Sequence, residues 1–292
     1  MRNLLSRIPL DEYYALTDAV NYSTAKWVLK SPRHFRHVAD HGTDRTECML
    51  QGTATHAAIL EPDKFASDFV VWNVLTKNGS GKVAPRTGSA WDHFQRCNPD
   101  KTIITEKQHA LAVAMHDAVW ADDTARPFLA GKGEAEVALV WTDPETGLVC
   151  KGRVDRLTDI NGEPTIVGIK TAIESGADAM SKQSNRLHYH MQWAMYREGY
   201  RVITGQIPRM IEIVVESKAP HDPVTYEITE GVIQPGLNIY REALDEIARC
   251  TATGKWPGQG GGEIVSLTLP TWAAGIPEDV GFDMTGIEGT EA

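Results

Sequence analysis

Arg153-Val154-Asp155-Arg156, followed past an Asn161-Gly162 turn by Thr165-Ile166-Val167-Gly168-Ile169-Lys170-Thr171, decides how this chain of 292 residues is read. Both stretches are rich in β-branched residues and a turn dipeptide separates them, so they read as two adjacent strands. Asp155 has Val154 and Leu157 as apolar neighbours, and an ionised carboxylate in such a strand needs a cation, an arginine or strong hydrogen bonds. Arg153 or Arg156 meets that need as a structural ion pair; a divalent metal meets it equally well. Lys170 ends the run Ile166, Val167, Ile169 and so projects from the tip of a buried strand. Such a lysine is either a solvated cap or, beside a metal, a group that acts on water and on phosphorane charge. The pair Asp155 and Lys170 is more telling than either residue.

Outward from this pair, Val137 to Trp141, the turn Asp143-Pro144-Glu145-Thr146-Gly147, Leu148 to Leu157 and Thr165 to Ile169 predict three strands in succession, a meander at the centre of a sheet. A helix over Leu187 to Tyr200 follows, then strands at Met210 to Val215 and Thr225 to Ile228. Pro235 reads as the start of a last long helix with Leu237, Tyr240, Leu244 and Ile247 on one stripe. Upstream, Ser23 to Leu29 is helical and is broken at Ser31-Pro32, before a stretch rich in His and Arg, His34 to His37. Thr53 to Leu60 predicts a compact helix that carries His56 and stops at Glu61-Pro62. Thr105 with Gln108 forms a capping box for an amphipathic helix over Glu106 to Ala121. Residues Lys77 to Thr87 read as a Gly- and Pro-containing loop, either a contact to a polyanion or ordinary solvent loop. The pattern is α/β (α+β), a mixed central sheet flanked by helices. We expect one domain over 1–253, and a Gly- and Pro-rich tail, extended or partly disordered, over 254–292.

Composition narrows the partners. No apolar run approaches the roughly 18 to 20 residues of a membrane span, and Met1 to Leu10 lacks the apolar stretch of a signal peptide, so a soluble cytosolic protein is expected. Cys48, Cys97, Cys150 and Cys250 have no Cys-x-x-Cys spacing, which suggests buried free thiols and no iron–sulfur cluster. A net charge of −10 excludes a chain coated in phosphate-binding residues. A local basic groove remains compatible with it, drawn from Lys26, Lys30, Arg33, Arg36, Lys77, Lys82, Arg86, Arg153, Arg156 and Arg186. Each of these taken singly is also an ordinary surface charge.

Further groups have chemistry to offer. His56, flanked by alanines, is either a satisfied core histidine or a nitrogen ligand for Mg²⁺ or, more readily, Mn²⁺. Gln192 and Tyr196 fall four apart on one helix face, for packing, for hydrogen-bonding a DNA phosphate or for positioning the lysine.

The order Gly52-Thr53-Ala54-Thr55-His56-Ala57-Ala58-Ile59-Leu60-Glu61-Pro62, Gly133-Glu134-Ala135-Glu136, Cys150-Lys151-Gly152-Arg153-Val154-Asp155, Ile169-Lys170-Thr171 and Tyr189-His190-Met191-Gln192 with Tyr196 resembles the RecE-type exonuclease VIII of phages and prophages, in the PD-(D/E)xK nuclease superfamily. Lys30-Ser31-Pro32-Arg33-His34-Phe35 resembles the start of that domain, and the likeness spans residues 13 to 250. It implies a restriction-endonuclease-like core and a Mg²⁺-dependent exonuclease acting 5′→3′ on linear double-stranded DNA in the host cytoplasm. It also implies a ring-shaped homo-oligomer, a 3′ single-stranded product and a RecT-like annealing partner. By position, His56, Asp155 and the Ile169 backbone carbonyl would hold the metal, Lys170 would be the catalytic lysine, and Gln192 and Tyr196 would support it. Glu136 is a further candidate carboxylate; Arg153, Arg156, Lys82 and Arg86 are candidate DNA contacts.

One position departs from the pattern. Two residues before Lys170, where Asp or Glu is expected, stands Gly168, which offers a metal only its backbone oxygen. The glycine is an inactivating change, the mark of a degenerate copy that still binds DNA ends, or a gap filled by Asp159, Glu163 or Glu174.

Overall fold

The computed structural model describes residues 3–44, 46–76 and 81–270. The N-terminal part runs β1 (Leu4–Ser6), α1 (Leu10–Ala15), α2 (Tyr22–Ala25) with a 3₁₀ turn (Lys26–Leu29), α3 (Pro32–His41), α4 (Glu47–Leu60) and α5 (Pro62–Asp68). Next come β2 (Phe69–Trp72), α6 (Gly88–Cys97), β3 (Thr102–Thr105), α7 (Glu106–Ala121) and α8 (Arg126–Ala130). The centre is β4 (Gly133–Thr142), β5 (Val149–Ile160) and β6 (Glu163–Ala172), followed by α9 (Ala177–Leu187), α10 (Tyr189–Thr204), β7 (Arg209–Glu216), β8 (Pro223–Glu227) and α11 (Glu230–Thr253).

Six strands form one sheet in the order β1-β4-β5-β6-β7-β8, and β2 and β3 pair parallel apart from it. Within the large sheet β6 and β7 are parallel, while its other neighbours are antiparallel. This is the expected mixed sheet with a β4–β5–β6 meander. Alternation along β6 and β7 sends Val167, Ile169, Ile211, Ile213 and Val215 to one face, against Ile59 of α4 and Met115 and Val119 of α7. Ile166, Met210 and Val214 go to the other face with Met191 and Met195 of α10 and Tyr240 and Leu244 of α11. A sheet covered on both faces explains why its central strands read as near-continuous apolar runs.

Helix signals were read well where local chemistry decides them. The Thr105–Gln108 capping box closes reciprocally and α7 spans Glu106–Ala121 as expected. Ser31 caps α3, whose first residue is Pro32. Elsewhere packing overrides the expectation. Pro235 lies inside α11, one turn beyond the true start at Glu230, and α4 begins six residues before the expected Thr53. The helix expected over Leu187 to Tyr200 is α10, and a further helix, α9, precedes it, the two meeting at His188, whose φ of 58° is left-handed. Of the four thiols, Cys150 and Cys250 are buried as expected, but Cys48 and Cys97 are exposed.

After α11, the described tail to residue 270 contains no helix or strand. Trp256 stacks on Phe35 of α3 and Pro257 accepts a hydrogen bond from the Arg33 amide. Part of the expected loop, Lys77 to Ser80, lies outside the described residues, as does the end of the expected tail from 271 onward. Beside the loop, Leu75 and Val83 pair as an isolated bridge. No helix among the described residues is long and apolar enough to cross a membrane.

Candidate metal centre

The β5–β6 pairing stops at Arg156↔Val167. Where it stops, the Asp155 carboxylate accepts a hydrogen bond from the Ile169 amide at 2.7 Å, so a side chain replaces a ladder bond. On the opposite flank, Glu136 of β4 stands across from Asp155, between the pairs Ala135↔Arg156 and Val137↔Val154. Two carboxylates facing each other across a ladder repel unless a cation lies between them. Glu136 also takes a φ of 59°, a left-handed conformation that costs a non-glycine residue about 1–3 kcal/mol. The chain thus concentrates strain and like charge at one point, as functional sites do.

His56 reaches the same point from α4, with Nδ1 3.5 Å from Asp155 Oδ1. Among the described residues, His56, Glu136 and Asp155 bring one nitrogen and two oxygens within 4.8 Å of one another, a spacing suited to a shared metal ion. Burial draws the imidazole's pKa down, but Asp155 outweighs it and lifts His56 above the ordinary histidine value. Burial pushes Asp155 up, yet His56, Lys170 and the Ile169 amide together hold it below the usual aspartate value. Glu136 is raised by burial and by Asp155, with Arg153, its ion-pair partner at 2.6 Å, pulling the other way.

The donor set fits a divalent cation. Oxygen ligands suit Mg²⁺, and adding an imidazole makes Mn²⁺ more acceptable. A cation here would relieve the opposed carboxylates, which is the physical reason to place one between them.

Lys170 lies next to this centre. Burial disfavours its charge, but Glu212 and Asp155 hold the ammonium firmly protonated. Its Nζ lies over the Tyr189 ring, 5.1 Å from the centroid. Gln192 donates to the Tyr196 hydroxyl at 3.1 Å, and Gly152 makes room for that ring, because a Cβ there would sit 2.7 Å from it. Tyr196, His56, Glu136, Asp155 and Arg153 all line one cleft of about 1340 Å³, together with Tyr13 and Tyr14 of α1. The residues expected to act together therefore do come together, and Glu136, the weaker candidate, is a full member.

Several expectations need correction. Arg156, expected at the DNA surface, is instead buried: it is 8 % exposed, and its guanidinium donates to the Phe128 and Gly131 carbonyls. Arg86 turns to Trp91 and Gln108, and neither it nor Lys82 lines the cleft. Among the described residues the basic side chains that line the cleft are all paired: Arg36 with Asp40, Lys64 with Glu61 and Arg153 with Glu136, while Lys151 donates to the Tyr13 and Leu16 carbonyls. None of the three carboxylates suggested for the Gly168 gap fills it. Asp159 and Glu163 bracket the β5–β6 turn, where Asp159 accepts from Gly162, and Glu174 is exposed beyond β6. The carboxylate beside Gly168 is Glu212 of β7, its register partner. Sequence reading passed over Glu212 because it stands in the apolar run Met210 to Val215; a charged residue inside such a run was the available signal.

Fold and site together define a domain of the PD-(D/E)xK nuclease class: a mixed sheet between helical layers, with acidic residues and a lysine on its central strands where the β5–β6 pairing stops. The chain belongs to the family described as PDDEXK-like domain of unknown function (DUF3799), whose profile matches residues 21–268. Among curated proteins none matches it. A solved structure described as a "putative exonuclease" from Eubacterium rectale superposes with a TM-score of 0.58 at 14 % identity, over 96 % of this chain and 99 % of the other. At that identity the likeness speaks for the fold alone. A second, described as SSO0001, aligns over 86 % of this chain and 84 % of its own at 13 % identity with a TM-score of 0.37, too low to bear on the argument.

Proposed function

We propose that this chain is a metal-dependent exodeoxyribonuclease of the RecE type, resecting linear double-stranded DNA 5′→3′ to leave 3′ single strands for a RecT-like annealing protein. The observation that carries the nuclease reading is the meeting of His56, Glu136 and Asp155 in one cleft, with the Lys170 ammonium close enough to Asp155 to feel its charge. The direction of cutting, the annealing partner, a ring-shaped oligomer, a bacterial cytoplasm and Mg²⁺ as the physiological ion are drawn from the family likeness in the motifs.

A bound divalent ion would polarise the scissile phosphate and lower the pKa of water beside it. The protein's own groups do the rest. His56, Glu136 and Asp155 fix the ion's position, with the Ile169 amide holding the Asp155 carboxylate in one orientation. Lys170 keeps its charge against the developing phosphorane, and the Gln192–Tyr196 pair presents a hydroxyl to the cleft.

The test compares linear duplex labelled at the 5′ or the 3′ ends with closed circular DNA, in Mg²⁺, Mn²⁺ or Ca²⁺. Early release of 5′ label from linear DNA alone is expected. Cutting of circles or early release of 3′ label overturns the exonuclease polarity, and absence of cutting in every metal overturns the enzyme reading. Gly168 favours a second reading, a catalytically impaired module that binds DNA ends. It predicts retention of linear duplex without digestion.

A further inference from the structure

We propose that Glu212 takes over the carboxylate role missing at position 168, and that it serves the reaction by positioning Lys170 rather than by ligating the metal. This rests on the nuclease reading of the same site.

Gly168 and Glu212 are register partners on the parallel strands β6 and β7, so their side-chain positions share one face of the sheet. A Cβ built on Gly168 would lie 2.4 Å from Glu212 Oε2 and 2.7 Å from Oε1. The space that an acidic side chain at 168 would use is therefore filled by a carboxylate arriving from the next strand. Glycine here is the condition for Glu212 to lie where it does.

Glu212 is 1 % exposed, and a buried carboxylate is tolerated only with partners. It has two. Trp193 Nε1 donates to Oε2 at 2.5 Å, and Lys170 Nζ lies 3.5 Å from Oε1. Oε1 makes no hydrogen bond, so Lys170 is its electrostatic complement. Glu212 is not part of the group formed by His56, Glu136 and Asp155. Moving the carboxylate from β6 to β7 thus keeps its charge beside the lysine while withdrawing it from the metal, and Glu136 with Asp155 supplies the metal's carboxylates.

The experiment uses the full chain with Glu212→Gln, Gly168→Ala, Lys170→Met and the Lys170→Met/Glu212→Gln double variant. Glutamine keeps the shape and the hydrogen bond to Trp193 but drops the charge. Expected for Glu212→Gln is a loss of about tenfold or more in kcat on linear duplex, with KM and the Kd for Mn²⁺ by calorimetry changed by no more than about twofold. Gly168→Ala should move the same quantities in the same direction, because its Cβ displaces the carboxylate. An unchanged kcat in Glu212→Gln overturns the proposal, and so does a Mn²⁺ affinity loss as large as the loss in kcat, which would make Glu212 a ligand. If the wild-type chain cuts nothing, the nuclease reading fails by itself and melting temperatures decide the pairing. Each single variant should then melt lower, with the double variant no worse than the lower single; additive losses would overturn the pairing.

Discussion

His56 Nδ1 lies 3.5 Å from Asp155 Oδ1, joining a helix that packs on one face of the sheet to the interior strand β5 at the point where its pairing with β6 stops. The contact has two states. With a protonated imidazole it is an ion pair; with a neutral one it supplies two of the three ligand residues of the candidate metal site.

Those two states give opposite pH dependences. The folded His56 pKa is raised above its unfolded value of 6.5, so the ion pair stabilises the metal-free protein fully below that value and is lost as pH rises through the folded pKa. The melting temperature of metal-free protein should fall as pH rises above about 6.5, and His56→Asn should flatten that slope. Mn²⁺ affinity should climb with pH over the same window, since the ligand must be neutral imidazole. A flat melting profile in the wild-type chain would show that Asp155 does not raise the His56 pKa on folding. Asp155 works on the acid side: its depressed pKa contributes stability above 3.8 that is lost as pH falls through the folded value.

Glu136 combines a left-handed backbone with a carboxylate facing Asp155. Glu136→Gly removes both, and should raise the stability of the metal-free protein by about 1 kcal/mol. The same variant should lose about tenfold or more in Mn²⁺ affinity. Denaturant melts with and without metal check both halves. A variant destabilised without metal would mean that the Arg153 ion pair outweighs strain and repulsion.

Removing Lys170 is expected to cost more than turnover. Lys170→Ala leaves Glu212 charged and buried without its cation, a loss of about 3–5 kcal/mol where no water can enter. The variant should bind linear duplex in Ca²⁺ nearly as well as the wild type wherever it remains folded, and cut none. Binding by anisotropy below the variant's melting temperature separates these effects; equal losses of binding and cutting would remove the lysine from the transition state.

Arg156→Met should lower stability by about 1–3 kcal/mol by orphaning the Phe128 and Gly131 carbonyls. DNA affinity and its dependence on salt should not change, because the guanidinium faces protein. A reduced salt slope in titrations would return Arg156 to the DNA surface.

Much of this was legible from one chain of letters. The meander was readable because strands buried on both faces are continuously apolar, and α7 because its capping box is a contact between residues three apart. His56, Asp155 and Lys170 were found through motif spacing. α9 was hidden because it runs almost directly into α10, with only the left-handed His188 between them. Arg156 misled because a buried arginine and a phosphate-binding arginine are spelled alike.

The sequence by itself determined which side chains could carry the chemistry and that they sit on neighbouring strands, because alternation and turn residues act over a few positions. Tertiary structure alone decided that Glu136 faces Asp155, that Arg156 is spent on two carbonyls, and that Glu212 lies against Gly168. These follow from strand register and close packing between residues up to about forty positions apart, and no local pattern records which distant side chain will fill a given space.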